Sequence, residues 1–161
     1  MINLTFNNQR TYAIVLKTDN PNVENDLVKT FEEIEKEFGN VDFSVNPKGK
    51  RLVPFETILD VTVKFASGVA VALIIKLLER LWEEFLNKKV SIQTQDIDVI
   101  QDKAERYLRS IGVTKFRTVE RTDAGPYVTF VFKDNAGARH NLIVTTFDMK
   151  ILQYKKQDDS E

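Results

Sequence analysis

The sequence predicts an α+β fold: a mixed or antiparallel sheet packed against a long, largely buried central helix and two amphipathic helices. Three observations point there. Apolar residues recur at helical spacing in Val23, Leu27, Phe31, Ile34 and Phe38, and again in Ile97, Ile100, Ala104, Tyr107, Leu108 and Ile111. Strand-like alternation with turn signals fills the last third, from Phe116 to Tyr154. Between these, Phe65-Ala-Ser-Gly-Val-Ala-Val-Ala-Leu-Ile-Ile75 is apolar throughout, bounded by Lys64 and Lys76.

Taken in order, Ile2 to Phe6 and Thr11 to Leu16 read as a hairpin around Asn7-Asn8-Gln9. Asn20-Pro21 marks a helix start, since Asn caps and Pro suits the first helical position. Gly39 closes that helix as a left-handed cap. Val41, Phe43 and Val45 alternate in a short strand that ends in the loop Asn46-Pro47-Lys48-Gly49-Lys50. A helical region is expected over about 55–87, with β-branched Val61-Thr62-Val63 as a point where it could break. Gly68 with Ala72, and Ala66 with Ala70, form small-x-x-x-small pairs that permit close backbone approach. Val90 to Thr94 reads as a strand, and Asp96 caps the next helix, which Gly112 ends. Asp123-Ala124-Gly125-Pro126 and Asp134-Asn135-Ala136-Gly137 supply the turns of the terminal meander. Tyr127 to Phe132 is apolar on both faces, which suits a strand covered on both sides or covered by a partner.

A single domain over 1–155 is expected, subdivided at 1–53, 54–89 and 90–155, with a polar tail over 156–161. The formal net charge of −1 gives no global field to draw nucleic acid or an anionic membrane. Cysteine is absent, which removes disulfides, thiolate chemistry and Cys-ligated zinc together. The start Met1-Ile2-Asn3-Leu4 lacks a basic n-region and an apolar h-region, so the expected location is the cytoplasm. A helix over 65–75 would span about 16 Å, against roughly 30 Å of bilayer hydrocarbon, so a buried helix is expected and no membrane span.

No pattern rises to a catalytic or ligand signature. His140, the only histidine, could serve as a base beside Asp134 or Asp148. Yet no serine sits in a nucleophile-elbow context, and an exposed or half-buried strand histidine is the preferred reading. Asp96, Asp98 and Asp102 lack the Gly and terminal Glu of a calcium loop and read as capping and a solvated face. Glu32, Glu33, Glu35 and Glu37 read as the wet side of a helix. Lys48, Lys50 and Arg51 could hold a phosphate or a nucleic-acid backbone, but an ordinary solvated loop is the preferred reading. No catalytic residue, metal set or cofactor is therefore expected. Leu78, Leu81, Trp82 and Phe85 fall on one helix face. The preferred reading is the amphipathic end of the core helix, with Trp82 inside the same fold; together with Gly68 and Ala72 the stripe is nevertheless the place where a protein partner or self-association is expected.

Two resemblances add to this. Ala104…Ile111-Gly112-Val113, then Gly125-Pro126-Tyr127 to Asp134, then Asp148-Met149-Lys150-Ile151-Leu152, gives the order helix, strand, strand, strand. That pattern resembles PepSY-type domains, small α/β modules linked to peptidase regulation and usually found outside the cytoplasm. It departs from them in lacking a secretion signal and in carrying Met149 where the family often has Gly. The whole-chain layout is a βα start, a small-residue apolar helix with Leu78, Leu81 and Trp82, and a strand-rich tail. It resembles the small effector-associated adaptor domains of bacterial conflict systems. The second resemblance implies a non-enzymatic coupling or regulatory module in a defence or signalling system. The first implies an inhibitor or immunity protein of an enzyme such as a peptidase. The short apolar run leaves a membrane-associated protein as a third class.

Overall fold

A computed structural model describes residues 11–20, 22–50, 57–66, 68–87 and 91–158, with the side chains of 47–50, 57, 85–87 and 91 outside the description. The first expected strand, Ile2 to Phe6, and the helix-starting Pro21 lie outside the described residues. The chain is α+β, with helices and two antiparallel sheets. It divides into two compact units whose sequence boundary falls between Gln93 and Thr94.

In the first unit β1 (Thr11–Thr18), α1 (Val23–Phe38), β2 (Val41–Lys50), β3 (Thr57–Phe65), α2 (Val71–Asn87) and β4 (Ser91–Ile92) follow one another. The sheet order is β2-β3-β1-β4 with every neighbour antiparallel. This is the split βαβ, or ferredoxin-like, arrangement, in which β3 lies between β1 and β2 and β1 between β3 and β4. Period-two alternation selects the buried face. Tyr12, Ile14 and Leu16 of β1 and Leu59, Val61, Val63 and Phe65 of β3 are buried, whereas Ala13, Asp42, Ser44 and Lys64 point outward and are exposed. Helix α1 buries Val23, Leu27, Phe31 and Ile34, and its Phe31 ring stacks on Phe43 at 4.4 Å. Helix α2 buries Ile74, Leu77, Leu78 and Leu81, the i, i+3, i+4, i+7 stripe of an amphipathic helix. Arg80 of α2 ion-pairs with Glu37 of α1 and lies over the Phe38 ring, tying the two helices together.

The long central helix over 55–87 is not what forms. Residues 57–65 are a strand, Gly68 turns the chain at φ 89°, and the helix begins only at Val71. The cause is in the pattern: Leu59, Val61, Val63 and Phe65 alternate with Asp60, Thr62 and Lys64, and a β-branched run favours the pleat. The small-residue pairs Gly68/Ala72 and Ala66/Ala70 therefore do not share a helix. Nor is the apolar run buried on most of its surface, because Ala66, Gly68, Ala70, Ala72 and Leu73 are exposed. Other boundaries move less. Asn22, not Asn20, precedes α1, while Asn20 accepts the Asn22 N–H at 3.0 Å in a turn just before it. Gly39 caps α1 at φ 73° as expected. Strand β2 runs on through the expected basic loop to Lys50, with an irregular register between Pro47 and Lys50.

The second unit is α3 (Ile97–Ser110) followed by the meander β5 (Phe116–Asp123), β6 (Tyr127–Asp134), β7 (Arg139–Thr145) and β8 (Ile151–Gln157) in sheet order β5-β6-β7-β8. The Asp96 carboxylate caps α3 by accepting the Asp98 N–H at 2.9 Å. Ile100, Ala104, Tyr107 and Leu108 then bury against Val128, Phe130, Phe132, Leu142, Val144 and Tyr154. Only this face of β6 is fully buried; Tyr127, Thr129 and Val131 on the other are half-buried. Met149, at the β7–β8 turn, holds φ 52°, a left-handed conformation in which glycine is favoured.

Burial separates two leucines on α2. Leu81→Ala is expected to cost about 2–5 kcal/mol through lost burial and a residual cavity. Leu73→Ala, at a position 44% exposed, should stay within about 0.5 kcal/mol. Urea unfolding of the two variants checks the contrast; equal losses would contradict this placement of α2.

Candidate functional site

The candidate site grows from the β6–β7 hairpin. Asp134 ends β6, and its backbone N–H donates to Ala138 O while its carbonyl accepts from Gly137 N–H. Its Oδ1 accepts two further N–H groups, from Ala136 and Ala138, each at 3.0 Å. Gly137, at φ 88°, supplies the left-handed step that the turn needs. The other carboxylate oxygen, Oδ2, lies 2.8 Å from His140 Nε2, and His140 Nδ1 lies 2.7 Å from the Tyr154 hydroxyl. His140 shares the inward face of β7 with Leu142 and Val144 and is 1% exposed. Tyr154 pairs with Leu142, one diagonal step from His140, and their rings stack at 5.9 Å. The Tyr107 ring meets Tyr154 edge-on at 5.6 Å.

With a neutral imidazole, one proton arrangement satisfies this chain. An ionised Asp134 only accepts, so His140 Nε2 carries the hydrogen, and Nδ1 is left to accept the Tyr154 O–H. The hydrogen bond from His140 holds the Asp134 carboxyl below its ordinary value, against the opposing effect of burial and with help from the Ala138 and Ala136 N–H groups. Burial pushes the Tyr154 hydroxyl up to about 12, with Tyr107 and Asp134 adding to the shift. A general base must offer a lone pair to its substrate. Here both imidazole nitrogens are engaged and the ring, though it lines the neighbouring pocket, is almost fully buried, so Asp134–His140–Tyr154 is built as a strut between hairpin and β8. The expectation of an exposed or half-buried histidine is corrected by this burial, while its pairing with Asp134 rather than Asp148 is found. Asp148 instead accepts from the Thr145 hydroxyl.

Above the strut opens a pocket of about 630 Å³. Its walls come from the turn after α3 (Ile111, Val113, Lys115), from Ala136 of the hairpin, and from Tyr154 and Lys156 of β8. Nothing in the sequence marks this convergence, because the three segments meet only through the meander's register.

The other expected site residues sit elsewhere. Gly68 and Ala72 are exposed at the start of α2, and Trp82 is half-buried. Leu78 and Leu81, each 2% exposed, are core residues, so they cannot form a surface with Trp82. The Phe85, Lys48 and Lys50 side chains and all of Arg51 lie outside the described residues. Asp96 caps α3, Asp98 pairs with Arg121 at 3.1 Å and Asp102 with Arg106 at 2.8 Å, so each has its own task. Among the described residues no group of His, Asp or Glu is arranged to hold a metal ion. The acidic side of α1 is not simply wet: Glu35 accepts the Phe43 N–H at 2.9 Å and Glu37 pairs with Arg80. No family model, curated protein or solved structure matches this chain.

The strut gives stability a pH signature. Asp134 is depressed, so its contribution is present above the ordinary carboxyl value of 3.8 and is lost as pH falls through the folded-state value. Tyr154 is raised, so its contribution is full below pH 10.0 and is lost between there and about 12. Tyr154→Phe should flatten that alkaline limb. It should also cost about 1–3 kcal/mol at neutral pH, because the buried Nδ1 loses its donor. Denaturant unfolding followed by circular dichroism across pH checks both effects; an unchanged alkaline limb would count against the strut.

Proposed function

We propose that this chain is a non-enzymatic protein–protein interaction or regulatory module, of the kind that couples an effector to its system in bacterial defence or signalling, acting in the cytoplasm. One observation carries the reading. The most apolar stretch of the sequence is only partly spent on the core: Phe65, Val69 and Ile74 are buried, but Ala66, Gly68, Ala70, Ala72 and Leu73 are exposed between Lys64 and Lys76. An exposed apolar segment of this kind is a feature of interaction surfaces.

The contact surface proposed here is narrower than the one read from sequence. It keeps Gly68 and Ala72, gains Ala66, Ala70 and Leu73, and gives up the core residues Leu78 and Leu81. A second reading, an inhibitor or immunity protein of an enzyme such as a peptidase, is favoured by one feature. The helix-plus-meander of the second unit follows the element order of PepSY-type domains, with Met149 in the left-handed conformation where that family often has Gly. As for membranes, among the described residues no helix is long and apolar enough to cross one.

Site-specific photo-crosslinking distinguishes these readings. A benzophenone side chain at position 73 should capture one discrete protein, or a second copy of this chain, in cells. The same group at position 99, an equally exposed valine site on α3 (47%), should not. Leu73→Asp should weaken the captured complex at least about tenfold, near 1.4 kcal/mol, with the melting temperature unchanged. Capture of an enzyme through position 99 instead would favour the inhibitor reading, and crosslinks to lipid alone would overturn the protein-partner reading.

A further inference from the structure

We propose that the face of the second unit's sheet opposite α3 is a binding surface for single-stranded nucleic acid. The inference rests on that unit alone and is independent of the interaction reading. Helix α3 takes the face of the meander that carries Val128, Phe130, Phe132, Leu142 and Val144. Period-two alternation sends the residues between them to the other face. There Tyr127, Val131 and Ile143 are half-buried, while Arg117, Arg139 and Lys155 are exposed.

Strand register gathers positive charge on this face. Arg117 pairs with Lys133 and Lys133 with Arg139, so the three stand in one row across β5, β6 and β7. Lys155, opposite Asn141, lies one diagonal step from Arg139. Of the acids on these strands, Asp123 and Asp134 take the α3 side, opposite Val128 and Phe116, and Glu120 alone shares the outer face, opposite Val131. The remaining arginines of the unit already have carboxylates. Arg106 pairs with Asp102 at 2.8 Å, Arg109 with Glu105 at 3.5 Å and Arg121 with Asp98 at 3.1 Å. Among the described residues Arg117, Arg139 and Lys155 make no such pair. Lys133 is half-buried and has interactions of its own, so the charge offered to a ligand is that of these three.

The row runs across the strands, and this direction selects the ligand. A peptide recognised by a sheet ordinarily adds along an edge, parallel to the strands, where main-chain hydrogen bonds hold it. A chain lying across the face has none of these, so it must bring a charge on each unit and flat groups for the neutral part of the surface. Single-stranded nucleic acid brings both. The planar guanidinium groups of Arg117 and Arg139 suit bidentate contacts to phosphate. Ile143 is the diagonal neighbour of both Tyr127 and Val131, so the three form one apolar area beside the cations for bases to pack on. Four strands about 4.8 Å apart span about 14 Å, room for about two or three bases, as on the sheets of RNA-binding modules. The net charge of −1 gives no long-range steering, so the contact is local and sensitive to salt.

The test uses the full chain and the fluorescence anisotropy of a labelled oligouridylate, with the same RNA annealed to its complement and a labelled polyglutamate as comparisons. The single strand should bind saturably and more tightly than either. Its affinity should fall with salt at a log–log slope of roughly −2, from about 0.7 for each of three phosphate contacts. Arg117→Gln with Arg139→Gln should weaken binding about tenfold and bring the slope to roughly −0.7. Arg106→Gln with Arg109→Gln removes the same charge from α3 and should change the affinity by less than about twofold. All four arginines are exposed, and thermal melting of each variant checks that the fold is kept. Lys155→Glu, a single exchange on β8, should weaken binding independently of both pairs, and bound RNA should shift the amide resonances of Val131 and Ile143. Absence of binding, equal affinity for the duplex, equal losses from the two arginine pairs, or shifts confined to Ala66–Leu73 would each overturn the proposal. Tighter binding of polyglutamate would overturn it in favour of an acidic protein partner.

Discussion

Among the described residues, the fully buried side chains of each sheet lie mainly on the face its helices pack against, and this one-sided burial is the constraint from which the remaining features follow. A strand in such a sheet must place every second side chain in the core. Tyr12, Ile14 and Leu16 of β1 obey it, as do Leu59, Val61, Val63 and Phe65 of β3 and Val128, Phe130 and Phe132 of β6. The same rule drives polar residues inward where their position falls on the wrong beat. His140 is one of these, and it can occupy the core because Asp134 and Tyr154 satisfy both its nitrogens. Burying a polar group without such partners would cost several kcal/mol on an apolar scale.

That rule also explains what could be read from the residues alone. The helices around Val23–Phe38 and Ile97–Ser110, their glycine stops and the terminal hairpins were legible because period and punctuation agree there. The strand from Thr57 to Phe65 is harder to see, although Leu59, Val61, Val63 and Phe65 alternate cleanly, because the apolar run that follows has no alternation and invites one continuous helix across both. The chain avoids that by turning at Gly68. The burial of His140 was also within reach, since Leu142 and Val144 share its parity on β7. The stripe on α2 is ambiguous for a related reason: residues at i, i+3, i+4 have the same spacing whether they face a core or another protein. Spacing cannot distinguish them, and here Leu78 and Leu81 face the core. The pocket was not legible at all, because Val113, Ala136 and Lys156 are brought together only by strand register.

The exposed apolar segment and the pocket are different kinds of feature. The segment at Ala66–Leu73 is open, short and formed by consecutive residues, so its chemistry is set locally by composition. The pocket is assembled from three separated stretches and stiffened by a buried polar chain. Polar networks of this sort are stabilising only when every member is paired, which makes Asp134 the residue on which hairpin, histidine and pocket wall all converge.

The two sheets also differ in how far along the chain each strand must search for its neighbour. In the second unit β5 through β8 pair strictly in sequence, so every ladder closes across a short turn. In the first unit β1 pairs with β3 and β4, which arrive only at residues 57–65 and 91–92. Folding rates fall as contacts become less local, because loop closure must precede the reward. On a ribosome adding residues one at a time, Ala13-Ile14-Val15-Leu16 therefore emerges long before either edge can be paired. Through that interval the β-prone tetrad lacks its native neighbours in the sheet, and segments in that condition are where transient misassociation of a growing chain begins.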